Sequence, residues 1–181
     1  MRTSTLKQLL TRGESETAWR LFDGLLDAGQ VSNHQLSVML AYGVSTSSQA
    51  EALIKRAEAA GVAPEASTFT NLISKLQVEG RDVDGALAEM SARGIEPDEH
   101  TRAELDRGSE ELSRIRTSKL KQLLTRGESE TAWRLFDGLL DAGQANAYQV
   151  RVMRDHGCAD NKEWKALLQR VKRAGGSLAK M

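Results

Sequence analysis

Residues 3–30 read TSTLKQLLTRGESETAWRLFDGLLDAGQ, and residues 117–144 read TSKLKQLLTRGESETAWRLFDGLLDAGQ. The two stretches differ only at Thr5 against Lys119. The register continues without a gap at an offset of 114: His34-Gln35 meets Tyr148-Gln149, Val38-Met39 meets Val152-Met153, and Ala60-Gly61 meets Ala174-Gly175. Residues 3–65 are thus duplicated as 117–179. A chain that repeats itself builds its fold from a repeated supersecondary unit.

Smaller periods lie inside that unit. Gly29, Gly61 and Gly94 close helix-like segments at spacings of 32 and 33 residues. Between glycines the apolar residues keep helical period. Ala18, Leu21, Phe22, Leu25 and Leu26 form an i, i+3, i+4, i+7, i+8 stripe, with Ser15 as its candidate N-cap and Gly29 as its stop. The same reading gives a helix around Leu6, Leu9 and Leu10, and further pairs through Ala50–Ala57, Phe69–Leu76, Ala86–Met90 and Trp164–Val171. No alternating run of β-branched residues signals a strand.

The expected fold is all-α: a right-handed α-solenoid of about five two-helix repeats, with about 10–11 helices in one repeat domain spanning 1–181. The repeats are read at 3–30, 31–65, 66–98, 113–144 and 145–179, with an extra helix at 99–112 interrupted at Gly108. The restarted helix is expected to run from Ser109 through Ile115 into Leu120, Leu123 and Leu124. Pro64 and Pro97 fall between helices, where they block propagation at no cost to a helix interior.

Composition agrees. Hydrophobic residues make up 40% and charged residues 28%, which suits a folded chain, while aromatics are only 4%, which suits Ala/Leu helix packing over a sheet. The net charge is zero. It hides a balance of −4 over 66–116, from seven Lys/Arg against eleven Asp/Glu, and of +5 over 145–181, from eight against three. The one cysteine, Cys158, allows no internal disulfide, and no apolar run reaches membrane-span length. No targeting segment is read at the N-terminus, because its basic, hydroxylated residues recur at Thr117-Ser118-Lys119.

Residues 66–98, ASTFTNLISKLQVEGRDVDGALAEMSARGIEPD, resemble a pentatricopeptide repeat (PPR). The likeness lies in an aromatic first helix, Thr68-Phe69-Thr70-Asn71-Leu72-Ile73, and a glycine turn, Gly80-Arg81. A second helix follows with Ala86-Leu87 and Met90, then a Gly-x-x-Pro-Asp close, Gly94 to Asp98. Residues 31–65 close the same way, at Gly61 to Glu65. The resemblance implies a superhelix that binds single-stranded RNA along its inner groove, one base per repeat, and a mitochondrial or plastid setting in RNA processing or expression. It implies base-reading pairs at Thr70 with Asp98 and at Gln35 with Glu65, with Gln149 opening the last unit and Thr117 in the same groove. Lys162, Lys165, Arg170, Lys172 and Arg173 supply candidate phosphate contacts at one end.

The remaining chemistry-bearing residues read as structural. His34, His100, His156 and Cys158 lack metal-ligand spacing, so no metal or cofactor is expected. Trp19, Trp133 and Trp164 read as packing residues, and His34 as a groove or core residue aligned with Tyr148. No phosphate loop, triad or HExxH motif is present, so no enzyme is expected. A helical scaffold for a protein partner, or a piece of a longer repeat array, is the alternative reading.

Overall fold

The computed structural model describes residues 2–174, so the end of the second copy, 175–179, lies outside the described residues. Among the described residues the secondary structure is helical, with no strand. The helices are α1 (Arg2–Thr11), α2 (Ser15–Asp27), α3 (Asn33–Val38), α4 (Ser47–Ala59), α5 (Ala66–Glu79), α6 (Asp84–Ala92), α7 (Glu99–Leu105), α8 (Ser109–Thr125), α9 (Ser129–Asp141), α10 (Ala147–Val152) and α11 (Asn161–Arg173). Helices α3 and α10 each continue into a π-helical turn, Met39–Gly43 and Met153–Gly157. These two turns occupy equivalent positions in the two copies.

The stretch 99–112, read as interrupted at Gly108 with a helix restarting at Ser109, holds α7 and the first turn of α8. Helix α7 ends at Leu105, and residues 109–112 belong to α8, which starts at Ser109 rather than at 113. Gly108 provides the extended backbone before the new helix, and Glu110 and Glu111 sit in its first turn, where the helix dipole favours negative charge. Ser15 is not the cap of α2. The capping position is Glu14, which makes no side-chain cap bond. The turn is too short for a separate cap: the Glu14 N–H already donates to Leu9 O as part of the α1 ending.

That ending recurs. After α2, Gly29 has φ of 61°, its N–H donates to Leu26 O, and Gln30 N–H donates to Leu25 O. Gly143 repeats it after α9, with bonds to Leu140 O and from Gln144 to Leu139 O. A left-handed residue satisfies two orphan carbonyls there, and only glycine takes that conformation without a Cβ clash.

The chain forms two compact units. The first comprises the chain through Leu76 together with Asp82–Asp106. Leu6 and Leu10 of α1, Phe22 and Leu26 of α2, Leu36 of α3, Leu53 and Ala57 of α4, and Leu72, Ile73 and Leu76 of α5 make its core. Each fully buried Leu or Phe contributes about 1.5–3 kcal/mol. The first helices stand side by side: α1 packs on α3, Ser37 of α3 meets Ser67 of α5 at 2.9 Å, and Thr70 of α5 meets Thr101 of α7 at 2.8 Å.

The second unit comprises Gln77–Arg81 and the chain from Arg107. Its core draws Leu120 and Leu123 from α8, Phe136 and Leu139 from α9, Val150 and Met153 from α10 and its π turn, and Leu167 and Val171 from α11. Trp19 and Trp133, the same position in the two copies, each set an edge against Phe22 or Phe136 at 6.2 Å. The Arg116 guanidinium is buried and donates to Gln77 O and Val78 O at the end of α5.

Candidate functional site

The residues proposed to read a ligand separate sharply once their neighbours are known. Thr70 and Asp98 are brought together. Asp98 caps α7: its Oδ1 accepts from the Thr101 N–H at 2.7 Å and from the Thr101 hydroxyl at 2.8 Å. The Thr101 Oγ1 lies 2.8 Å from the Thr70 Oγ1, so one buried hydroxyl joins the predicted pair. The Thr101 hydrogen bonds hold the Asp98 carboxyl below the usual carboxylate range. The bonds described use Oδ1 of a half-buried carboxylate.

Gln35 and Gln149 are turned toward their own helix ends. Both are buried, at 6% and 0% exposure, and both close capping boxes. The Gln35 Oε1 accepts from the Ser32 N–H at 2.8 Å, and the Gln149 Oε1 accepts from the Asn146 N–H at 3.1 Å. The Gln149 amide also donates to Ser113 O. The side-chain oxygen of each is thus spent on its own helix end. Thr117 is buried, and its hydroxyl donates to Ser113 O at 2.8 Å one turn back in α8, as the half-buried Thr70 hydroxyl does to Ala66 O at 2.9 Å in α5. Glu65 is exposed and pairs with the Asn33 amide at 2.5 Å, so the Gln35–Glu65 pair becomes an Asn33–Glu65 pair.

The cations of α11 also divide. Lys162, Lys165, Lys172 and Arg173 are exposed. Their spacing puts them along one helical face, open to solvent anions. Arg170 is instead held by the Asp137 carboxylate and lies 5.0 Å from the Trp133 ring centroid. Burial raises the Asp137 carboxyl above its ordinary range, although Arg170 opposes that. Arg170 is therefore an internal clamp between α11 and α9.

The sequence reading missed a groove in the first unit. It has a volume of about 460 Å³ and is lined among others by Lys7, His34, Ser37, Tyr42 and Asn71. A second groove of about 390 Å³, in the other unit, is lined among others by Arg114, Lys121, Asn146 and Tyr148. The duplicated Lys7 and Lys121 were a signal for it; the tyrosines were hidden because they occupy non-equivalent positions of the copies. His34 does lie in the groove, as one of its two expected placements. Among the described residues no three His, Cys, Asp or Glu side chains gather as a metal ion requires, and no helix is long and apolar enough to cross a membrane.

Fold and sequence together define an all-α protein of repeated helix pairs. The sequence matches no family model and no curated protein. Among solved structures it is similar to the PPR domain of Arabidopsis thaliana protein-only RNase P 1, determined in complex with tRNA. The two share 19% sequence identity and a TM-score of 0.44, over 98% of this chain and 90% of that one.

Proposed function

We propose that the chain is a binding module for single-stranded RNA, not a catalyst. The observation that carries this reading is the Thr70–Thr101–Asp98 relay, in the segment that resembles a pentatricopeptide repeat. An ionised carboxylate beside a hydroxyl accepts from the donor edge of an unpaired base, and guanine offers two adjacent N–H donors there. The Asn33–Glu65 pair repeats the arrangement one unit earlier, with an amide and a carboxylate. Exposed Lys162, Lys165, Lys172 and Arg173 give phosphate contacts. An organelle transcript as the target rests on the resemblance alone.

The test is fluorescence polarisation with short labelled RNAs rich in each base, at two salt concentrations. Asp98→Asn keeps a side chain that can cap α7 but adds donors, so it should shift base preference away from G-rich RNA. Thr70→Ala should weaken the same preference. Binding by the parent chain that shows no base preference, and stays unaltered in both variants, would remove this assignment.

A further inference from the structure

Resting on the RNA reading, we infer that each copy of the duplicated unit carries a single-nucleotide stacking site: an exposed tyrosine that receives the base and a lysine that takes its phosphate. Among the described residues the large hydrophobic side chains left exposed are Tyr42, at 49%, and Tyr148, at 51%. Each has a lysine at its ring. The Lys7 ammonium lies 5.4 Å from the Tyr42 centroid, and the Lys121 ammonium lies 5.0 Å from the Tyr148 centroid while donating to its hydroxyl at 2.9 Å.

The lysines are the same position in the two copies, but the tyrosines are not. At the offset of 114, Tyr148 stands where the first copy has His34, and Tyr42 stands where the second has His156. Each copy therefore keeps one lysine, one tyrosine and one histidine, with the two rings exchanged. Both histidines are exposed. A packing role would require a ring at a fixed position with its surface covered; here the position moves and half the ring stays open. The property both copies retain is an open aromatic surface beside a cation.

The grooves agree in charge. The described lining of the first holds Lys7 and His34, and that of the second Lys121 and Arg114, the latter paired with Glu110. The duplicated Lys7 and Lys121 are thus the cations that the two grooves offer an anionic ligand. A nucleotide supplies both parts, a flat base for the ring and a phosphate for the ammonium. Tyr42 is held by the π turn, whose Gly43 leaves room for the Met39 side chain beneath: a Cβ there would fall 2.9 Å from Met39 Cε.

The experiment compares the full chain with Tyr42→Ala, Tyr148→Ala, the double variant and the Tyr→Trp pair. It uses labelled oligouridine and an abasic strand with the same phosphates. Each alanine should weaken oligouridine binding roughly 5- to 100-fold, tryptophan should restore it, and binding to the abasic strand should be unchanged by any of them. Lys7→Gln and Lys121→Gln should each lower the slope of affinity against salt by about 0.7. Circular dichroism checks that every variant is folded. If the alanine variants bind oligouridine as the parent does while Asp98→Asn alters base preference, the stacking sites are overturned and the RNA reading stands. If the parent binds neither strand at low salt, both are overturned, and the face is left to a protein partner.

Discussion

Arg116 and Asp98 show how a single side chain here acts through the backbone it completes. The Arg116 guanidinium, its charge disfavoured by burial, donates to two carbonyls at the end of α5. Arg116→Ala would take the guanidinium donor from Val78 O and leave Gln77 O with the Gly80 N–H, so urea denaturation should show a loss of about 1–3 kcal/mol. Arg114→Ala should cost little, because its pair with Glu110 is exposed. Asp98→Ala should cost about 0.5–2 kcal/mol at neutral pH through loss of the α7 cap, and Asp98→Asn much less. The pH sign follows from the direction of the shift. A carboxyl lowered in the folded state contributes stability above its unfolded pKa, near 4, and loses it as pH falls through the lower folded value. The penalty of Asp98→Ala should therefore shrink in denaturation series carried below about pH 4. A penalty that stays constant would mean the cap works without its charge. The cap was visible locally, as an acid just after Pro97; its link to Thr70 was not, because Thr101 lies 31 residues from Thr70.

Helices were the most legible feature, and the identical pair α2 and α9 shows where legibility ends. Both read SETAWRLFDGLLD, and both bury the same Ala-Phe-Leu-Leu stripe. Period and stop are properties of thirteen residues, so they appear in both. The surroundings differ. A Cβ on Gly24 of α2 would meet nothing within 4 Å, whereas one on Gly138 of α9 would meet the Glu79 carbonyl at 3.4 Å. Gly24→Ala should therefore stabilise by about 0.5–1 kcal/mol, the helix-propensity gain, and Gly138→Ala by less or not at all. Hydrogen exchange at α2 and α9 assigns each change to its own unit. Equal gains would mean that α9 does not approach the end of α5 closely. The lone difference between the duplicated stretches has a related setting. Thr5 is exposed in the first unit, while Lys119 in the second is largely desolvated, with Glu128 and Glu79 favouring its charge.

Across the chain, equal numbers of acidic and basic residues conceal where charge is free to act. Arg170 is paired and Lys162, Lys165, Lys172 and Arg173 stand exposed, so RNA affinity should fall with salt through the latter four. Replacing those four with Gln should flatten the salt dependence while leaving base preference intact; Arg170→Gln should instead lower thermal stability. A salt slope untouched by the fourfold change would place phosphate binding elsewhere. Local pattern alone specified the helices, their glycine stops, the duplication and most of the core, because a 3.6-residue stripe and a left-handed stop are written within a dozen residues. It also contained the Ser32–Gln35 capping signal, which competes with any outward role for Gln35. Which polar groups face solvent was settled by folding. Thr70 meets Thr101, Glu65 meets Asn33, Asn146 meets Ser113 and Arg170 meets Asp137, each across 31 to 33 residues of chain. Those partners lie in the neighbouring repeat, so packing between repeats, not the residues on either side in sequence, decides how each polar group is oriented and which of its atoms stay open.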